Sequence, residues 1–208
     1  MKQVCLYFGS FNPIHRGHLA LARHVLSEGY ADELWFVLSP SSPHKQGRTQ
    51  LLAHRRAHYI QEAIEGEPRL CLCRIEEDLP RPNYTVRTLR AIELLHPETR
   101  LSLLIGADNL MGLASWHDYQ RLLEGYRLLA YPRAGYSREQ LEGQIRHLSQ
   151  ERPGEDGEII LLDAPLLEYS STAIRRAALE GKDLRESLPH PERWDELSLE
   201  IRSLSSTH

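Results

Sequence analysis

The segment VCLYFGSFNPIHRGH, residues 4–18, passes from an unbroken apolar run through a short turn into a helical pattern. VCLYF lacks the polar alternation of a half-exposed strand, so it reads as a strand covered on both faces. Gly9 closes it, Asn12-Pro13 reads as a helix start, and helical spacing carries from His15 to Ser27. The same alternation recurs outward. LWFVL (34–38) precedes a helix from about Leu51 to Glu65, and LCLC (70–73) precedes one over Thr85–Leu95. LSLLI (101–105), LLAY (128–131) and IILL (159–162) complete the strands. Apolar strands separated by helices predict an α/β fold, a doubly wound parallel sheet in a three-layer α/β/α sandwich. Ligands of such sheets bind beyond the carboxyl ends of the strands, so the residues that carry chemistry are expected just after each strand.

The 208 residues suit one domain over 1–208, with a core over about 2–182 and a C-terminal helix and tail over about 189–208. Hydrophobic residues at 41% and charged residues at 26% are ordinary for a soluble globular chain. No apolar run approaches the roughly 18 residues of a membrane span, and MKQVCLYFGSFNP has too short an apolar core for a signal peptide. The net charge of −4 excludes a broad basic surface for nucleic acid, so cations for a phosphate ligand must be local. Three cysteines without a secretion signal predict a reducing, cytoplasmic setting. Cys71 and Cys73 fall on one side of a strand, about 7 Å apart, too far for a disulfide. They read as buried core thiols. RPGEDG (152–157) reads as an exposed turn.

Two strand ends stand out. After the first strand, small residues let backbone N–H groups approach a phosphate at a helix N-terminus. His15 and His18, three apart, share a face of the first helical turn and form a compact donor pair for phosphate oxygens. A structural or surface pair is the plain alternative, and a metal pair lacks a third ligand. The glycines and lysine match neither a G-x-G-x-x-G fingerprint nor a P-loop. After the last strand, Ser170, Ser171 and Thr172 precede AIRRAALEG, with Ser171 as N-cap and Gly181 as C′ residue. Arg175 and Arg176 then lie in the first half of a helix, where the dipole disfavours cations. An anionic ligand resolves that conflict; side chains turned to water also would.

G-S-F-N-P-I-H-R-G-H (9–18) resembles the signature of the nucleotidyltransferase superfamily that carries an H-x-G-H motif. Phe8 and Asn12 stand where the commonest form has Gly and Asp. S-S-T-A-I-R (170–175) resembles the second hallmark of the nicotinamide and nicotinate branch, and the resemblance runs from residue 2 to about 180. It implies a nicotinate-nucleotide adenylyltransferase, which moves the adenylyl group of ATP to nicotinate mononucleotide and releases pyrophosphate. Catalytic roles then fall on His15, His18, Lys45 and Arg175. ATP contacts are implied for Gly9, Ser10, Phe11, His15, His18, Gly106, Asp108, Ser171, Thr172 and Arg175.

The mononucleotide is implied to meet Ser10, Phe11, Lys45, Thr85, Gly106, Asp108, Trp116, His117 and Arg133. Lys45 lies in a Pro- and Ser-rich loop and matches the family's P-H-K. Thr85 would help hold the nicotinate carboxylate; read alone, it is a helix cap. Asp108 would take ribose hydroxyls; read alone, it too is a cap. Trp116 would stack on the pyridine ring and the His117 N–H would reach the carboxylate; read alone, Trp116 is a core residue and Arg133 an exposed loop residue. Arg56 matches a family position with no role attached.

This set lacks a nucleophile–base pair. A phosphate nucleophile is already ionised and pyrophosphate leaves readily with Mg²⁺, so direct in-line attack needs only alignment and charge stabilisation. Mg²⁺ is expected to ride on the triphosphate. A nicotinamide-preferring or dual-specificity enzyme, a pantetheine-phosphate adenylyltransferase and a non-catalytic nucleotide sensor are the alternatives. A homo-oligomer is compatible with the chain.

Overall fold

The computed structural model describes residues 1–40, 50–151, 157–164 and 169–206. Strands β1 (Lys2–Gly9), β2 (Glu33–Leu38), β3 (Leu70–Cys73), β4 (Thr99–Gly106), β5 (Arg127–Tyr131) and β6 (Ile159–Leu161) form one parallel sheet in the order β3-β2-β1-β4-β5-β6. Successive side chains of β1 go to opposite faces. Val4 and Leu6 join one apolar cluster with Leu103 and Leu128, while Cys5 and Tyr7 join the other with Phe36 and Leu104.

Helices α1 (Arg16–Ser27), α2 (Ala53–Ala63), α7 (Ser171–Glu180) and α8 (Trp194–Ser206) cover the Cys5 face through Leu19, Ile60, Ile174 and Ile201. Helices α3 (Thr85–Leu95), α4 (Ala107–Met111), α5 (Tyr119–Gly125) and α6 (Arg138–Gln150) cover the Val4 face through Leu89, Leu110, Leu122 and Leu148. The expected doubly wound α/β architecture is present. Strand order reverses between β1 and β4, with β2 and β3 added on one side and β5 and β6 on the other, so a crevice opens beyond Gly9 and Gly106.

Several local expectations change. Helix α1 begins at Arg16 with His15 as N-cap, so Asn12-Pro13 is part of the preceding turn rather than the helix start. Ser170, not Ser171, caps α7: its Oγ accepts from the Ala173 N–H at 3.0 Å. Gly181 does end that helix, at φ +70°. Thr85 is the first residue of α3 and Tyr84 holds the cap position. Helix α6 went unread, although Ser137 and Gln140 form a capping box at its start.

Cys71 and Cys73 are half-buried rather than core thiols, because β3 is an edge strand. All three cysteines are free. Of the turn expected over 152–157, only Gly157 lies within the described residues, and it is buried, its Cα side filled by the Leu123 carbonyl. The C-terminal helix starts at Trp194, and the first two residues of the SSTH tail belong to it. Trp194, Leu197 and Ile201 bury it against the Cys5-face core.

Candidate active site

The crevice is a cleft of about 840 Å³ at the carboxyl ends of β1, β2, β4 and β5, walled on one side by the N-terminus of α7. Its floor is aromatic. Phe11, at φ +43°, folds its ring back over Gly9 and against Tyr7 and Phe36 at 5.4 and 5.3 Å between centroids. The Tyr7 and Tyr131 hydroxyls meet at 3.3 Å.

Above this floor the two imidazoles stack, centroids 3.6 Å apart and planes 23° from parallel. The helix start explains the spacing: the His15 N–H donates to His18 Nδ1 at 3.1 Å, which leaves the His18 Nε2 position to carry the proton. Gly17 leaves room for the stack: a Cβ there would lie a tight 3.0 Å from His15 Nδ1 and 3.3 Å from the Tyr169 Cβ. His15 is 6% exposed and its Nδ1 has no hydrogen-bond partner among the described residues. Burial, with help from the Arg133 charge, pulls its pKa down to about 4, so the ring is neutral at pH 7. His15 therefore lines the cleft as a neutral imidazole, a form that can still offer one ring N–H to a ligand oxygen.

The late motif is tied to the early one. Ser171 Oγ donates to the Pro13 carbonyl at 2.9 Å, and Arg175 Nη1 donates to the Asn12 carbonyl at 2.7 Å and Nη2 to Thr172 Oγ1 at 3.3 Å. The two helix arginines thus divide: Arg175 turns into the cleft, and Arg176 turns to water beside Glu180 at 3.9 Å. Across the cleft, Arg133 grips Asp108 through both carboxylate oxygens at 3.0 and 2.9 Å. Gly106 makes that grip possible, since a Cβ would stand 2.6 Å from Asp108 Oδ1 and 2.9 Å from Arg133 Cδ.

Of the residues singled out from sequence, Gly9, Ser10, Phe11, His15, His18, Asp108, Trp116, Arg133, Ser171, Thr172 and Arg175 line the cleft. Trp116 is half-buried, its inner edge against the Val4-face core. Thr85, Gly106 and His117 are not among the lining residues. The His117 ring instead stacks on Tyr84 at 4.1 Å and pairs with Asp118 at 3.6 Å. Lys45 lies outside the described residues.

Sequence reasoning missed Tyr7, Tyr131, Glu76, Arg81 and Asn83, all in the lining. Glu76 is a buried carboxyl that accepts from Thr88 Oγ1 at 2.9 Å, and burial pushes its pKa up. The buried carboxyl had one signal, an acidic pair just after an apolar strand; the tyrosines had none, since they read as strand residues.

Imidazoles, guanidinium groups and hydroxyls at the switch point of this sheet, with no serine, cysteine or lysine nucleophile set against a base among the described residues, define a site for nucleotide phosphates and group transfer between them. A family model described as cytidylyltransferase-like matches residues 6–177. A Porphyromonas gingivalis protein named "Probable nicotinate-nucleotide adenylyltransferase" is 43% identical over 203 residues, covering 97% of this chain and 96% of that protein. A Bacteroides fragilis protein of the same name is 37% identical over 203 residues, covering 98% and 94%. The solved structure of Plasmodium falciparum nicotinic acid mononucleotide adenylyltransferase complexed with NaAD shares the fold, with a TM-score of 0.74 over 99% of this chain and 98% of that one at 18% identity. The chain belongs to the cytidylyltransferase-like family, and within it to the nicotinate-nucleotide adenylyltransferases.

Proposed function

We propose that the cleft aligns the phosphate of nicotinate mononucleotide for direct attack on the α-phosphorus of ATP. The enzyme transfers the adenylyl group to that phosphate, giving nicotinate adenine dinucleotide and pyrophosphate in NAD biosynthesis. The observation that carries the mechanism is the stacked His15–His18 pair beside Arg175, with no general base aimed at a nucleophile among the described residues. The attacking phosphate oxygen is ionised at neutral pH, so no proton has to be removed. The new P–O bond forms as the bond to the leaving pyrophosphate breaks, and the electron pair departs with pyrophosphate. His18 Nε2–H and the His15 ring donate to the α-phosphate and the bridging oxygen as charge builds there.

Arg175, with Ser171, Thr172 and the α7 N-terminus, takes the β- and γ-phosphates, joined by Lys45. Asp108 turns from Arg133 to the ribose hydroxyls, and Arg133 turns to the mononucleotide phosphate. Trp116 supplies the flat surface on which the pyridine ring stacks. With Asp108 on the ribose and Glu76 held by Thr88, the remaining donors suit phosphate oxygens. Mg²⁺ fits here as the ion the triphosphate brings, and when bound it neutralises charge on the leaving pyrophosphate. No helix among the described residues is long and apolar enough to cross a membrane, and we place the reaction in the cytoplasm.

Pyrophosphate release with Mg-ATP, at equal concentrations of nicotinate mononucleotide, nicotinamide mononucleotide and pantetheine phosphate, tests this. Turnover mainly with the first is expected, because donors arranged for a carboxylate are left unpaired by the amide. Equal turnover with the amide overturns the acid preference, and silence with all three overturns the transfer reaction.

A further inference from the structure

Arg56 in α2 is the largest fully buried side chain among the described residues, with no exposed surface. No carboxylate pairs with it among the described residues. Its guanidinium is instead spent on backbone carbonyls: Nε on Leu51 at 3.0 Å, Nη1 on Ser10 at 2.6 Å and Ser39 at 2.9 Å, and Nη2 on Pro40 at 2.7 Å. Ser10 follows β1, and Ser39 and Pro40 follow β2. One planar fork therefore fastens two adjacent strand ends and the start of α2 to each other. Two further bonds brace the same junction, Ser39 N–H to the Gly9 carbonyl at 2.9 Å and Leu51 N–H to Asn12 Oδ1 at 3.0 Å.

The Ser10–Phe11 peptide is trans, so its N–H points opposite to its C=O. With the Ser10 carbonyl drawn back onto Arg56, the Phe11 N–H faces the other way. No described residue accepts that N–H, and Ser10 and Phe11 both line the cleft while Arg56 does not. We propose that Arg56 is a positioning residue: by holding the Ser10, Ser39 and Pro40 carbonyls it aims the Phe11 N–H into the cleft as a backbone donor for a substrate phosphate. The role needs arginine. Lysine offers one nitrogen where the four carbonyls require donors fixed in a plane. The inference rests on the phosphate-binding reading of the cleft.

The test compares wild type, Arg56→Lys and, as a control for lost packing in the same helix, Ile60→Val. Pyrophosphate release is measured alongside the ¹⁵N–¹H signal of Phe11 on adding a non-hydrolysable ATP analogue and, separately, nicotinate mononucleotide. The Phe11 amide of the wild type is expected to move downfield with one of the two ligands, and to move far less in Arg56→Lys. That variant should lose about 10-fold or more in kcat, while Ile60→Val stays within about 2-fold of wild type. Full turnover by a folded Arg56→Lys overturns the proposal. If the variant does not fold, an unmoved Phe11 amide in the wild type overturns it. Wild type that shifts its Phe11 amide but releases no pyrophosphate sinks the transfer reaction and leaves the placement of Arg56 standing.

Discussion

The two walls of the cleft are built differently. On the side of α1 and α7, His15 is 6% exposed, Gly17 is closed in by His15 and Tyr169, and Ser171 and Arg175 are bonded to the Pro13 and Asn12 carbonyls. On the side of β4 and β5, the Arg133 and Asp108 side chains are 49% and 46% exposed and, among the described residues, hold only each other, and Trp116 is half in water. The first wall is set before any ligand arrives; the second leaves its ordering to the ligand. A preorganised wall suits the step where charge develops, since no reorganisation is needed at the moment of reaction. An open wall suits the acceptor, whose ring and ribose must enter between Trp116 and Asp108.

The sharpest way to break this contrast is through pH. Folded His15 resists protonation until about pH 4, whereas the unfolded imidazole binds its proton near 6.5. Between those values the unfolded state holds more protons, so the stability His15 confers is present above pH 6.5 and lost as pH falls to about 4. Unfolding free energies of wild type should therefore fall by about 3 kcal/mol more than those of His15→Asn between pH 7 and pH 4. Parallel pH curves would mean that the ring is not buried in solution.

Next in size, His18→Ala should lose about 10²-fold or more in kcat, with a smaller change in ATP affinity. Unchanged turnover would remove His18 from the reacting atoms. Trp116→Ala should raise the KM for the mononucleotide about 10-fold and leave the ATP parameters within about 2-fold. An effect confined to ATP would put the pyridine ring elsewhere. The smallest effect belongs to the open wall's own ion pair. Arg133→Ala should cost under about 1 kcal/mol in stability, because both partners are half in solvent, yet it should raise the mononucleotide KM. A large fall in Tm would show that this wall too is braced without ligand.

The set wall was also the legible one. Gly9, His15, Gly17 and His18 lie within ten residues, so their geometry follows from one turn and one helix start. The strands were legible because unbroken apolar runs have few other readings. What escaped depends on distance. Tyr7 and Tyr131 meet across 124 residues, and nothing local marks either hydroxyl as facing a cleft. Cys71 and Cys73 were misjudged because an edge position depends on strand order, which a single strand does not encode. Helix α6 was missed for a different reason: its Ser137–Gln140 box was readable, but its sequence, REQLEGQIRHLSQ, is polar enough to pass for loop.

The bonds from Ser171 and Arg175 back to Pro13 and Asn12 close loops of 158 and 163 residues. Contacts of such separation cost the most chain entropy to form, which places them late in folding. Affinity for the triphosphate is then among the last properties the chain acquires. A half-folded chain already carries both histidines on its first helix, yet it has only one jaw of the vice, and nucleotide binding reports that the fold is complete.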